Sequence, residues 1–378
     1  MRRDYAEYLS SYKLDAGQLT STRTLKLLVR ELPYQRLQDY AAFQRAVAAD
    51  QAQTISLDNK APGAAGVGGN ESANDLNESG MQAMKNNNFP MAINIFQQVV
   101  KLEPKHKTAW NNLGRAYLGL NQNEQAIAAF KKQTEIDPYD QFAYNNMGLA
   151  YENALKYDEA RKQFQKQVEI NPLDPFAHGN LGVLYVKQRD FASAVPELEK
   201  AVELQPQNPL LLISLGQSYI ATNQTDKGMA AFEKAISLAP NQIIWNNIAF
   251  ALAEQGVQLD RADKYADAAI NAVETQLRDV NLDNLRFQDL GTASFLYNVW
   301  DTKGWIAFKR GDLATAQEYI EAAWQASGSG DQAEHVAEIF EKRGNRQQAV
   351  RYYVLSLAAD VPSDEARASG RTRRDQRP

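Results

Sequence analysis

From residue 73 to residue 241 the chain repeats a pattern of bulky, small and polar positions every 34 residues. Glycine marks the period at Gly80, Gly114, Gly148, Gly182 and Gly216, and proline at Pro104, Pro138, Pro172, Pro206 and Pro240. With each glycine counted as position 8, position 4 carries Leu76, Trp110, Tyr144, His178 and Leu212, and position 11 carries Ala83, Tyr117, Tyr151, Tyr185 and Tyr219. Position 20 is Ala92, Ala126, Ala160, Ala194 and Gly228, and position 24 is Phe96, Phe130, Phe164, Leu198 and Phe232. Small residues at 8 and 20 let two helices, A and B, approach closely, while the bulky positions fill the space between repeats. Proline at 32 stops helix B and turns the chain into the next helix A. A period this regular means one unit stacked on copies of itself. The predicted fold class is all-α, a solenoid of about eight helix–turn–helix repeats.

The repeats are expected near 73–106, 107–140, 141–174, 175–208 and 209–241, and continue more weakly at 242–275, 297–329 and 330–358. Trp245, Ile248, Ala249 and Leu252 open the sixth helix A, and Ala262, Ala266 and Ala269 lie on its partner. Trp300, Gly304, Ala307, Ala316, Ile320 and Ala323 restore the phase in the seventh repeat, and Val336, Ala337, Phe340, Ala349 and Tyr353 mark the eighth. Residues 276–296 break the phase and read as a polar loop, with room for a short helix of its own. Upstream, Tyr5–Tyr12 and Leu19–Val29 read as a β-hairpin, Pro33 opens a helix, and Thr54–Leu57 is a candidate short strand. Residues 1–58 are therefore expected to be a remnant of a β-rich domain, and the Gly/Ala-rich 59–72 a linker. Residues 359–378, with five arginines, read as a disordered basic tail.

The net charge of -5 gives no support for nucleic-acid binding, which normally shows as a basic surplus. The absence of cysteine excludes disulfides and a thiol nucleophile. No apolar run approaches the ~20 residues of a membrane span, so no membrane insertion is expected. His106, His178 and His335 have no ligand-spaced partner on a shared helix, so neither a metal nor any other cofactor is expected. His178, standing where other repeats carry Trp, Tyr or Leu, reads as a packing residue; His335, with Glu334 and Glu338 beside it, reads as solvent-exposed.

The helix–turn–helix period and its Gly, Ala, Tyr and Pro positions closely resemble the tetratricopeptide repeat family. More specifically, WNNIAFALAEQG (245–256), ETQLRDVNLDNLRFQDLG (274–291), WDTKGWIAFKRGD (300–312) and the segment 8–57 resemble bacterial proteins whose repeat array follows a transglutaminase-like and a β-rich domain. That resemblance implies a C-terminal part of a larger exported protein in the periplasm or cell envelope; otherwise a cytoplasmic location is expected. The tail SGRTRRDQRP departs from that lineage.

In the tetratricopeptide family, helix A lines a concave groove through positions 2, 5, 6, 9, 12 and 13. Asn112, Asn146, Asn180 and Asn247 stand at position 6 and Asn111 and Asn145 at position 5, with Arg115 at position 9 and Phe142 and Phe176 at position 2. A row of amides, each with donors and an acceptor, can hold an extended peptide backbone; equally, such asparagines can bridge neighbouring helices. Phe142 and Phe176 read as apolar anchors for a ligand or as packing between repeats. Trp305 at position 9 reads first as packing beside Trp300, with Phe308 at position 12. The family's dicarboxylate clamp is not matched, since only Asn112 fits it among Asn77, Met81, Asn112, Phe142 and Asn146. The leading expectation is a non-catalytic module binding an extended segment of a partner protein or peptide. The alternatives are a docking or regulatory arm of a transglutaminase-like or peptidase-like enzyme, and a self-associating scaffold.

Overall fold

The computed structural model describes residues 72–278 and 287–359. The expected hairpin, helix and strand of 1–58, almost all of the linker and all but the first residue of the tail lie outside those residues. The described residues are helices joined by short turns, with no strand among them. In chain order they are α1 (Ala73–Lys85), α2 (Phe89–Leu102), α3 (Ala109–Gly119), α4 (Asn123–Ile136), α5 (Gln141–Asn153), α6 (Tyr157–Ile170), α7 (Pro175–Lys187) and α8 (Phe191–Leu204). They continue as α9 (Pro209–Ala221), α10 (Thr225–Leu238), α11 (Gln242–Gln255), α12 (Leu259–Leu277), α13 (Phe287–Arg310), α14 (Leu313–Ser327), α15 (Gly330–Lys342) and α16 (Arg346–Ala358). The chain divides into two compact units after Ala231, inside α10.

Steric exclusion explains the pairing of A and B helices. Phe96, Phe130, Phe164 and Leu198 are fully buried. A Cβ placed on Gly80, Gly114, Gly148 or Gly182 would enter the side chain of the corresponding position-24 residue, and one on Gly304 would enter Ile320. In these five repeats only hydrogen at position 8 leaves room for that contact. Helix B ends two residues before each proline, at Leu102, Ile136, Ile170, Leu204 and Leu238. The next helix A is capped by a side chain at four successive junctions: Asp140, Asp174, Asn208 and Asn241 accept from its first backbone N–H groups.

The turn inside each repeat has a left-handed residue at position 15, and that of the sixth repeat has a second, Gln258. Position 15 is Asn87, Asn121, Leu155, Arg189, Asn223, Gly256, Gly311 and Gly344 in succession, with φ between 56 and 84°. The following residue donates its N–H back to the position-11 carbonyl, as in Asn88 to Ala83, Lys156 to Tyr151 and Asp312 to Ala307, each at 2.9–3.0 Å. This is the six-to-one bond of a Schellman turn.

The segment 276–296 differs from the predicted loop. The nineteen-residue α12 runs through Leu277, and the twenty-four-residue α13 starts at Phe287, so residues 287–296 are extra turns of the seventh helix A. The added length is packed: Val273, Leu277, Leu296, Trp300 and Ala323 form a buried cluster with Ala293 and Phe295 against it. Lengthening α12 also removes a polar contact. Trp110 donates its indole N–H to the Pro104 carbonyl at 2.9 Å, and His178 Nε2 meets the Pro172 carbonyl at 3.0 Å. Trp300 holds the same position, but α12 continues where that proline would stand and its carbonyls are committed within the helix. The buried Trp300 indole N–H accordingly has no partner among the described residues.

Candidate functional site

In the first unit, helices α3, α5 and α7 bring the predicted asparagines together, and the amides face one another. Asn112 Nδ2 donates to Asn77 Oδ1 at 3.1 Å, Asn146 Nδ2 to Asn111 Oδ1 at 3.0 Å, and Asn180 Nδ2 to Asn145 Oδ1 at 2.7 Å. Each bond joins position 6 of one repeat to position 5 of the repeat before it, a separation of 35 residues. Asn145 Nδ2 also reaches Asn146 Oδ1 at 3.3 Å, linking two rungs. An ion pair with the same stagger, Lys187 to Glu152 at 2.6 Å, ties position 13 to position 12 of the previous helix A. Asn112 is only 6% exposed, whereas Asn111, Asn145, Asn146 and Asn180 are partly exposed. The rungs stop where their chemistry stops: Gly179 offers no side chain to Ser214.

The aromatic pair lies outside this network. Phe142 is 65% and Phe176 62% exposed, so neither is packing between repeats, and Leu210, one repeat on, is 54% exposed. Arg115 is exposed on α3. In the second unit Asn247 is partly exposed on α11, and the position-2 residue Ile243 is exposed.

The histidines divide between the two units. His106 is buried, its Nε2 at 3.1 Å from Asn74 Oδ1, and His178 is held between Glu197 and the Pro172 carbonyl. His335 corrects the solvent-exposed reading: it is largely buried, its Nδ1 lying 2.9 and 3.0 Å from the two Asp301 oxygens. Its ring stacks on Trp305 with 4.3 Å between centroids, and Trp305 is itself buried and stacked on Phe308. Trp305 is therefore a packing residue. Sequence reasoning missed the Asp301–His335 pair, although counting repeat positions finds it, since Asp301 is a position 5 and His335 the next position 6. Close by, Phe308, Glu334, Glu338, Glu341, Lys342 and Tyr353 line an open hollow of about 650 Å³. Among the described residues no group of three or more His, Cys, Asp or Glu is arranged to hold a metal ion. None of the described helices is long and apolar enough to cross a membrane.

Three family models, each described as tetratricopeptide repeat, match residues 78–140 and 145–209, residues 185–249, and residues 334–365. The chain is a tetratricopeptide repeat protein. Similar solved structures include "YrrB: a TPR protein with an unusual peptide-binding site", at 22% identity over 47% of this chain and 91% of that one, with a TM-score of 0.40. MamA from Desulfovibrio magneticus RS-1 matches at 18% identity over 45% and 97%, TM-score 0.42. The APC/C hetero-tetramer Cut9–Hcn1 matches at 13% identity over 80% and 55%, TM-score 0.47. A search of curated proteins found no match. Tetratricopeptide repeats serve typically as protein-interaction scaffolds without chemistry of their own, and stacked repeats present extended concave surfaces for that purpose.

Proposed function

We propose that this tetratricopeptide protein is a non-catalytic interaction module whose first unit holds an extended, largely uncharged segment of a partner protein along α3, α5, α7 and α9. The observation that carries this reading is one exposed apolar side chain per repeat, Phe142, Phe176 and Leu210, beside a row of partly exposed asparagines. Exposed aromatics are the residues that anchor interfaces. Asn111, Asn145, Asn146 and Asn180 each carry more hydrogen-bonding capacity than a single rung uses, and that remainder suits a peptide main chain. Arg115 on α3, and Asn112 at the floor, complete the set in this unit; in the second unit Asn247 with Ile243 offers the same kind of contact on α11.

Anchor spacing sharpens the ligand class. Successive A helices lie near enough for their side-chain amides to bond across them, and three residues of polyproline II advance about 9 Å. A segment with an apolar residue at every third position therefore offers one side chain to each repeat. The test is fluorescence anisotropy with a labelled fifteen-residue peptide carrying Leu at every third position between Pro and Ala. Phe142→Ala with Phe176→Ala is expected to weaken its binding by about tenfold or more, and a scrambled peptide is expected to bind as weakly as that. Equal affinity of the double variant and the parent would overturn the proposal.

A further inference from the structure

The position-5 to position-6 rung is built a second time, in different chemistry. Where the first unit pairs Asn with Asn, α13 supplies Asp301 and α15 supplies His335, with both carboxylate oxygens within 3.0 Å of Nδ1. The pair is enclosed, the side chains of Asp301 and His335 being 12% and 15% exposed. Trp305 covers the imidazole at an interplanar angle of 19°, an arrangement that favours a cation over the indole face. The indole N–H donates to Glu254 on α11 at 2.7 Å, and Lys309 stands 4.7 Å from the Trp305 ring centre. At the preceding junction of this unit the same two positions form no rung. The Thr302 hydroxyl turns back to the Asn298 carbonyl, and Asn246 Oδ1 is buried without a partner among the described residues.

We propose that Asp301 and His335 form an ionised rung, a latch that holds α15 against α13 while His335 carries its proton and weakens when that proton leaves in alkaline solution. The same helices carry Phe308, Glu334, Glu338 and Glu341, so the latch also fixes the spacing of the hollow that they line. The charged groups around the imidazole are Asp301 and Lys309 from α13, Glu334 and Glu338 from its own helix, and Glu254 from α11. Burial disfavours the charged ring, but Asp301, by charge and hydrogen bond, with Glu338 and Glu254 behind it, outweighs burial and pushes the His335 pKa up to about 9. An unfolded histidine titrates near 6.5. The rung's contribution is thus full below about pH 6.5 and is lost as pH rises through about 9.

With three histidines in the chain, NMR of their imidazole C–H groups reads the titration directly in the full-length protein, and His335→Gln assigns the resonance. The expected midpoint for His335 lies about two units above that of an ordinary histidine, and Asp301→Asn should lower it by a similar amount. Should Asp301→Asn not fold, the double variant Asp301→Asn, His335→Asn decides the matter. It rebuilds an amide rung like Asn111–Asn146, and it should fold and lack the fall in melting temperature expected of the parent as pH rises through about 9. A parent His335 midpoint at or below about 6.5, or the same alkaline fall in parent and double variant, would overturn the proposal.

Discussion

Helices α1–α9 and helices α11–α16 solve the same packing problem with the same backbone and different side chains. Both use a left-handed residue at position 15 and the bond from the next N–H to the position-11 carbonyl. At positions 5 and 6 the A helices of the first unit are tied by neutral amides, whereas in the second unit the described tie at those positions is a carboxylate and an imidazole under a tryptophan. The turn and the small–large contact between positions 8 and 24 therefore define the repeat, while positions 5 and 6 carry an amide pair, an ionic pair or no pair at all. The second unit also tolerates lengthened helices, because Leu277 and Leu296 extend the core along with the backbone.

The comparison can be broken most forcefully at the ionic rung. Asp301→Ala leaves a buried imidazole without its hydrogen-bonded carboxylate and is expected to cost about 3–5 kcal/mol in urea unfolding. The neutral counterpart, Asn112→Ala, strands the Asn77 oxygen at a buried rung and should cost about 1–2 kcal/mol. A cost for Asn112→Ala equal to that of Asp301→Ala would erase the distinction between the two rungs. Smaller still, and of opposite sign, Leu155→Gly should stabilise by about 1 kcal/mol, since a β-carbon at φ 58° is strained; Gly344, already at φ 74°, has no such strain to relieve. The smallest effect on stability is expected from Phe142→Ala with Phe176→Ala, within about 0.5 kcal/mol for each site by thermal melting. A large loss of stability there would make the exposed pair structural and remove the anchors from the proposed binding face.

Much of the fold was legible because it rests on exclusion. Glycine at position 8 and phenylalanine at 24 declare a close approach, and proline at 32 declares a stop. The left-handed turn was hidden because Leu155 and Arg189 occupy it in the first unit, where no glycine announces it. The extra turns of α13 were hidden because 287–296 carries Asp289, Gly291 and Thr292 among its apolar residues, which resembles a loop until α12 is placed opposite. At the candidate site, the residue types were legible and their partners were not. An asparagine row facing a ligand and an asparagine row facing its neighbours have the same sequence, and only the one-residue stagger between successive helices distinguishes them. His335 was misread for the same reason, since Asp301 and Trp305 reach it from another helix, while Glu334 and Glu338 are merely its neighbours in the chain.

The central claim, that asparagines on successive A helices bind each other, is tested most directly by a double-mutant cycle on Asn111→Ala and Asn146→Ala, with stability read by urea unfolding. A rung at 3.0 Å predicts a coupling of about 1 kcal/mol between the two positions. Strict additivity of the two substitutions would contradict it.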